Sequence, residues 1–414
     1  MESVTFLVLN AASLGSVFQH ARRVAEQLAS RGWSVNVLSN QSVDWKDCCS
    51  VRITTPSGKL WSFLDRCAEG IGARLPAWAR ILSPQRTISS LRFGVDAARS
   101  IREVGSLSGS DLFVVYQHST FVGFEPKQVE GRVVLVSHGD VFSHPWRSFP
   151  IPLRLVYVCG AYLSYRRADL VIAVSEFLAS VARRTRASRG AVSVVSNGVA
   201  PMKTDLPPVT TRLPDRSSPY VGLRILYVGR LAPEKGVDKL LEALPKVKSG
   251  FSSLRVVGSG AELERLKCLS ERLKLVDRVH FMGELPHEEV GACYSSADVL
   301  VVPSLSEGQG VVALEAMSLG VPVVASNVGG LKEIVRHGAN GLLFQPEDPS
   351  DLAGCLEMLT DDKALLRRLA SSAFATSAAY GWEAVLSQFE LELREAMRCP
   401  KLHRSRMPGR DPKI

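Results

Sequence analysis

The stretch Ser306–Gly330 reads SEGQGVVALEAMSLGVPVVASNVGG and sets two carboxylates, Glu307 and Glu315, eight positions apart with Gly308 and Gly310 between them. Side chains three or four apart share a helix face. These two are farther apart, and the glycines favour a loop before the helix announced by VALEAMSLG. Glu307 is therefore expected on the loop and Glu315 in the first helical turn. The backbone N–H groups of the helix start lie between them, where an anion is welcome. Carboxylates accept hydrogen bonds from hydroxyls, and amides donate them to phosphate. A nucleotide sugar, with hydroxyls at both ends and phosphate in the middle, fits that layout. Two plainer readings compete: Glu315 as a capping carboxylate, and Glu307 as a solvated loop charge.

Upstream, LRILYVG runs into Arg230 and then LAPEKG, ending at Lys235 and Gly236. A glycine-bearing turn between a strand and a helix presents backbone donors, and two cations add charge aimed at the same point. A pyrophosphate would be held there from both sides, each charge-assisted hydrogen bond contributing about 1.5–3 kcal/mol. The alternative is an unremarkable surface arginine and a lysine near a helix start.

Apolar runs and helical patterns alternate on both sides of this region. VTFLVLN, HARRVAEQLASRG, WSVNVLS, DLFVVYQ, RVVLVSHG, DLVIAVS and AVSVVSN form one series. LRILYVG, VDKLLEALPKV, LRVVGSG, ELERLKCLSERL, RVHFMG, DVLVVPS, PVVAS and GLLFQP form a second. This is a βαβ rhythm, and it implies parallel sheets covered by helices. The proline-rich PMKTDLPPVTTRLPDRSSP (201–219) separates the series. The fold class expected is α/β, two Rossmann-like parallel-sheet domains facing across a cleft. The first domain covers 1–204, a linker 205–219 and the second domain 220–383, while a helix at about 384–399 returns to the first domain. The basic tail 400–414 is expected to be disordered.

The bulk properties agree with a globular two-domain protein: 414 residues, 46% hydrophobic, no apolar run long enough to span a bilayer, and a start, MESVTFLVLN, that lacks a basic n-region and is expected to be a first strand. A cytoplasmic location is expected. The eight cysteines are scattered, without a C-x-x-C pair or zinc-ligand spacing. The net charge of +9 resides in residues 1–205, which hold 24 Lys and Arg against 15 Asp and Glu. Such asymmetry points to an anionic partner or to a solvated basic surface. A nucleic acid is not expected, because the aromatic and Lys/Arg-Gly clusters of the usual modules are missing.

From Leu223 to Leu359 the chain resembles the retaining glycosyltransferases of the GT-B fold, family 4. The matching stretches are GRLAPEKGVDKLLEA, VVGSGAELERL, HFMGELPHEEVGACYSSADVLVVPSLSEGQGVVALEAMSLGVPVVASNVGG and NGLLFQPED. Glu307 and Glu315 form that family's E-x7-E motif. The resemblance implies that Arg230 and Lys235 bind the donor diphosphate, Glu315 the ribose hydroxyls, and Glu307 a hydroxyl of the transferred sugar. The backbone of Gln309, Gly310, Val311 and Val312 would meet sugar and phosphate, and the main chain at Leu285 would read the base. Many members have phenylalanine where this chain has Gln309.

The first half matches less closely. Gly15, where members have a glycine pair, is expected to line the cleft, and His138 stands where members place a histidine near the transferred sugar. AVSEFL, VVSNGV and the aromatic Trp382 complete the match. The activity implied is retaining hexosyl transfer from a UDP- or GDP-linked sugar to a hydroxyl. No cofactor is implied, and no metal, since an Asp-x-Asp motif is absent. Alternatives are a synthase of a small soluble glycoside, a sugar-nucleotide epimerase or an inactive donor-binding protein. The region 59–102 has no strong counterpart. Its helical apolar spacing and its arginines, among them Arg66, Arg74, Arg80 and Arg86, make a basic amphipathic surface, suited to an anionic membrane and a lipid-linked acceptor. Helices whose basic faces look into water would show the same pattern.

Overall fold

In a computed structural model of the chain, residues 2–8, 16–39, 46, 48–52, 110–116, 129–139, 151–186, 191–200, 202 and 222–398 are described. Gly15, Arg66, Arg74, Arg80 and Arg86, the proposed linker 205–219 and the tail 400–414 lie outside them. Among the described residues, no helix is long and apolar enough to cross a membrane.

Two parallel sheets carry the chain. The first comprises β1 (Ser3–Val8), β2 (Ser34–Ser39), β3 (Cys49–Arg52), β4 (Leu112–Val115), β5 (Arg132–Ser137), β6 (Leu170–Ala173) and β7 (Ala191–Val194), in the order β3-β2-β1-β4-β5-β6-β7. The second comprises β8 (Leu223–Val228), β9 (Phe251–Val257), β10 (Val279–Gly283), β11 (Val299–Val302), β12 (Val323–Ser326) and β13 (Gly341–Phe344), in the order β10-β9-β8-β11-β12-β13. Each order reverses beside its first strand, so the crevice for a ligand opens at the carboxyl ends of β1 and β4 and of β8 and β11. The strands LFVV of β4 and VLVV of β11 are buried along their whole length, as parallel strands covered on both faces must be.

Helix patterning follows the same logic. In Ser16–Ser30 the residues Phe18, Ala21, Val24, Ala25 and Leu28 recur at one-turn spacing and pack on β1, β2 and β4. The last helix, Trp382–Arg398, buries Val385, Leu386, Phe389, Leu393 and Ala396 in that same core. The chain thus crosses between the sheets twice. Where the two crossings meet, the Val199 N–H donates to the Tyr380 carbonyl at 2.8 Å. A Cβ on Gly198 would lie 2.4 Å from the Trp382 indole, so any larger residue there would have to displace that ring.

A polar cluster fastens the returning helix. Glu390 accepts from Arg31 at 2.9 Å, from the Trp33 indole at 3.1 Å and from Arg394 at 2.8 Å. Burial alone would raise the Glu390 carboxyl, but the bonds from Arg31, Arg394 and Trp33 outweigh it and lower its pKa from 4.5 to about 2. A depressed carboxyl pKa adds stability that is complete above the unfolded value and is lost as pH falls toward the folded one. Glu390→Gln is therefore expected to cost about 2 kcal/mol at pH 7, allowing for the partly solvated arginines, with the difference from wild type closing between about pH 4.5 and pH 2. Urea unfolding at pH 7 and pH 3 checks this, and an equal penalty at both would contradict it.

Candidate functional site

The turn Pro233–Lys235 and the loop Pro303–Gly310 leave β8 and β11, neighbouring strands at the switch point, and lie against each other. The Leu305 N–H donates to the Glu234 carbonyl at 2.8 Å. Gly236 has φ 62°, and a Cβ there would stand 2.1 Å from the Pro303 carbonyl oxygen, so only glycine permits this approach. As a result the Lys235 ammonium meets Glu307 Oε2 at 2.6 Å, and the Ser304 hydroxyl donates to the same oxygen at 3.2 Å. Both side chains are mostly shielded, with 21% of Lys235 and 17% of Glu307 exposed. Glu307 is thus not a solvated loop charge. Both bonds fall on Oε2.

Behind Glu307, the helix Val311–Ser318 opens at Gly310 (φ 94°) with no side chain capping it. The N–H groups of its first turn, at Val311 and Val312, are therefore available to an anion. Glu315 is not in the first turn of this helix, where the sequence reading expected it. Its Oε2 accepts from the Tyr294 hydroxyl at 2.8 Å. Burial first, and then the adjacent Glu315 charge and hydrogen bond, push the Tyr294 phenol well above its ordinary range, so it remains a donor to that carboxylate. Arg230 is half exposed; it bonds Glu234 at 3.0 Å, and its carbonyl accepts from the Tyr227 hydroxyl at 2.7 Å.

A cleft of about 580 Å³ runs between the domains. Arg230, Leu285, Val311 and Glu315 line its second-domain wall, facing Gln19, His20 and Arg23 of the first helix, with Trp382 and Gly198 at the crossing. Lys235, Glu307, Gln309, Gly310, Val312 and His138 are not part of that lining. Glu307 and His138 nevertheless belong to contacting loops. Gly308 follows Glu307 directly, and a Cβ on it would lie 2.4 Å from the His138 carbonyl oxygen.

The surroundings of two expected residues, His138 and Gln309, escaped the sequence reading. His138 packs edge-on against His20 with ring centroids 4.8 Å apart, and stacks on Tyr116 at 5.5 Å. His20 is 2% exposed and shares a hydrogen bond of 3.1 Å with the Tyr116 hydroxyl. Burial, and secondarily His138, lower its pKa well below the ordinary value, so the imidazole is neutral at pH 7. A histidine one turn after the glycine loop was the available signal. Gln309 is 5% exposed and turns its amide toward the first domain. Its Oε1 accepts from the Asn197 N–H at 2.9 Å and from the Asn197 side chain at 2.5 Å, and its Nε2 bonds the Ser196 hydroxyl. The amide of Gln309 thus faces away from the helix N-terminus, leaving only its backbone for the role expected of it.

Two doubly wound parallel domains with a cleft at their facing carboxyl edges define the GT-B class. The profile described as "Glycosyl transferases group 1" matches residues 221–376, and that of "Glycosyltransferase Family 4" matches residues 17–202. The chain belongs to this family of group 1, family 4 glycosyltransferases. It is 35% identical over 209 residues to an uncharacterized glycosyltransferase of Methanocaldococcus jannaschii, covering 49% of this chain and 53% of that protein. The chain spans about half the length of the curated relatives it matches. Among solved structures, sucrose-phosphate synthase from Thermosynechococcus elongatus superposes with a TM-score of 0.75 at 24% identity, over 96% of this chain and 100% of that one. The Anabaena protein HepE in complex with UDP and glucose superposes with a TM-score of 0.69 at 21% identity, over 95% and 100%.

Proposed function

We propose that the protein transfers a hexose from a UDP- or GDP-linked sugar to an acceptor hydroxyl with retention of anomeric configuration. The observation that carries this reading is the Lys235–Glu307 pair at 2.6 Å, seated beside the uncapped N-terminus of Val311–Ser318. One cation, one carboxylate and a row of backbone N–H groups suit a phosphate joined to a polyhydroxyl ring. The UDP and glucose in the HepE complex are ligands of the same chemical class.

In the proposed reaction the bond from the anomeric carbon to the diphosphate oxygen breaks, and Arg230, Lys235 and the helix N–H groups stabilise the departing charge. The acceptor oxygen bonds to the anomeric carbon from the same face, and its proton passes to the departing phosphate oxygen. Glu307 orients a hydroxyl of the hexose, His138 stands on the acceptor side, and Glu315 holds the ribose while the Leu285 main chain meets the base. Since fixed protein donors neutralise the leaving group, no step requires a metal ion. The basic first half and the arginines at 66, 74, 80 and 86 support a lipid-linked acceptor at the cytoplasmic face of a membrane, in polysaccharide or glycolipid assembly.

A panel of UDP- and GDP-hexoses, assayed for nucleoside diphosphate release with a lipid-linked acceptor pool, tests the proposal. Transfer is expected with at least one donor and is expected to survive EDTA. Activity lost in EDTA and restored only by Mn²⁺ or Mg²⁺ would overturn the metal-free route, and release of free sugar product without acceptor would favour an epimerase.

A further inference from the structure

The loop that carries Glu307 is held from both sides of the cleft. Within its own domain, the Gly330 N–H donates to the Glu307 carbonyl at 3.0 Å, and Gly329 and Gly330 leave no room for side chains beneath it. From the first domain, the buried Ser175 hydroxyl donates to the Gly308 carbonyl at 2.6 Å. Gln309, the next residue, is bound by Asn197 and Ser196. A third tie lies one step further out. Glu333, in the short helix that follows Gly330, accepts from the N–H groups of Glu176 at 2.8 Å and Phe177 at 2.6 Å, capping the helix Glu176–Arg186 of the first domain. These ties come from the β6–helix turn and from the segment after β7, so they exist only while the two domains are docked.

We propose that Gln309 is a positioning residue. Its amide fastens the Glu307 loop to the first domain, so that the Glu307 carboxylate is set against the transferred sugar only in the docked arrangement. The inference rests on the donor reading given above, but the tie itself is independent of it. The two residues after Glu307 have no slack, because a shift of the loop breaks the Asn197 and Ser175 bonds together. Arg230, Lys235 and Glu315 all belong to the second domain and none is bonded by the first-domain residues of the tie, so nucleoside diphosphate affinity is expected to change far less than turnover.

Gln309→Leu keeps the bulk and removes every amide bond. Gln309→Glu retains an acceptor for both Asn197 donors, while its second oxygen replaces the amide that donates to Ser196 and accepts from that hydroxyl instead. Hydrogen exchange over residues 303–310 and calorimetric titration with UDP and GDP, alongside hexosyl transfer, separate the outcomes. Gln309→Leu is expected to speed exchange of the loop amides and to lower kcat about 30-fold while nucleotide affinity stays within about twofold. Gln309→Glu is expected to restore loop protection and most of kcat. Wild-type loop exchange in Gln309→Leu would overturn the tie. Equal losses of kcat and nucleotide affinity would make Gln309 a donor-site residue instead. If the wild type binds and transfers nothing, the donor reading fails, while loop exchange still decides whether Gln309 fastens the domains.

Discussion

Replacing Glu307 or Lys235 by alanine is expected to lower turnover about 100-fold or more while leaving both domains folded. Neither side chain belongs to a hydrophobic core cluster. Their contacts are polar, with each other at 2.6 Å and with Ser304 at 3.2 Å. On the proposed reading each variant removes one contact to the donor, and it also strips the partner of its counter-ion in a shielded place, so the remaining group is misdirected. The double variant should therefore cost less than the two single losses combined, as expected for side chains that act as a unit. Steady-state kinetics with circular dichroism melting decide the matter. Near-normal turnover in either single variant would remove that residue from the site, and a collapsed melting curve would make its role structural.

Gly236→Ala is expected to be nearly as damaging, although it changes no functional group. A methyl there would face the Pro303 carbonyl oxygen at 2.1 Å, and that oxygen belongs to backbone that cannot rotate away. The left-handed φ of 62° adds roughly 1 kcal/mol for any residue with a Cβ. The turn must withdraw from the loop, weakening the Leu305–Glu234 bond and drawing Lys235 away from Glu307. Stability should fall by about 2–3 kcal/mol, and turnover at a temperature where the protein remains folded should fall about 30-fold. A variant with wild-type melting temperature and turnover would show that the two segments are not in register as described.

What could be read in the sequence and what could not follow from the range of the interactions. The strand runs, the glycine turn before Val237 and the loop before Val311 are local patterns, and each element stands where its residues imply. The resemblance over Leu223–Leu359 names Arg230 and Lys235 from one short stretch and Glu307 and Glu315 from another, and the structure brings Lys235 and Glu307 together. The sequence gives the Gln309 side chain no role beyond a departure from phenylalanine, since its partners lie at 196 and 197, more than a hundred residues away. Glu333 reads as a surface acid until the helix at Glu176 is placed over it. His20 reads as one polar position in an amphipathic helix, and its burial arises from Tyr116, just after β4, and from Trp382 and Phe389 on the last helix, both far away along the chain. Glu315 was expected in the first helical turn and lies beyond it, because the helix begins only at Val311, and its partner Tyr294 comes from the helix His287–Ser295.

Calorimetric titration of UDP and GDP into the wild type, Lys235→Ala and Glu315→Gln, in EDTA, tests the central claim most directly. The account predicts that one of the two nucleotides binds the wild type without metal, that Lys235→Ala weakens binding at least about tenfold through the lost diphosphate contact, and that Glu315→Gln weakens it less, because the amide oxygen still accepts from the ribose. Absence of binding by either nucleotide, or equal affinity in all three proteins, would contradict it.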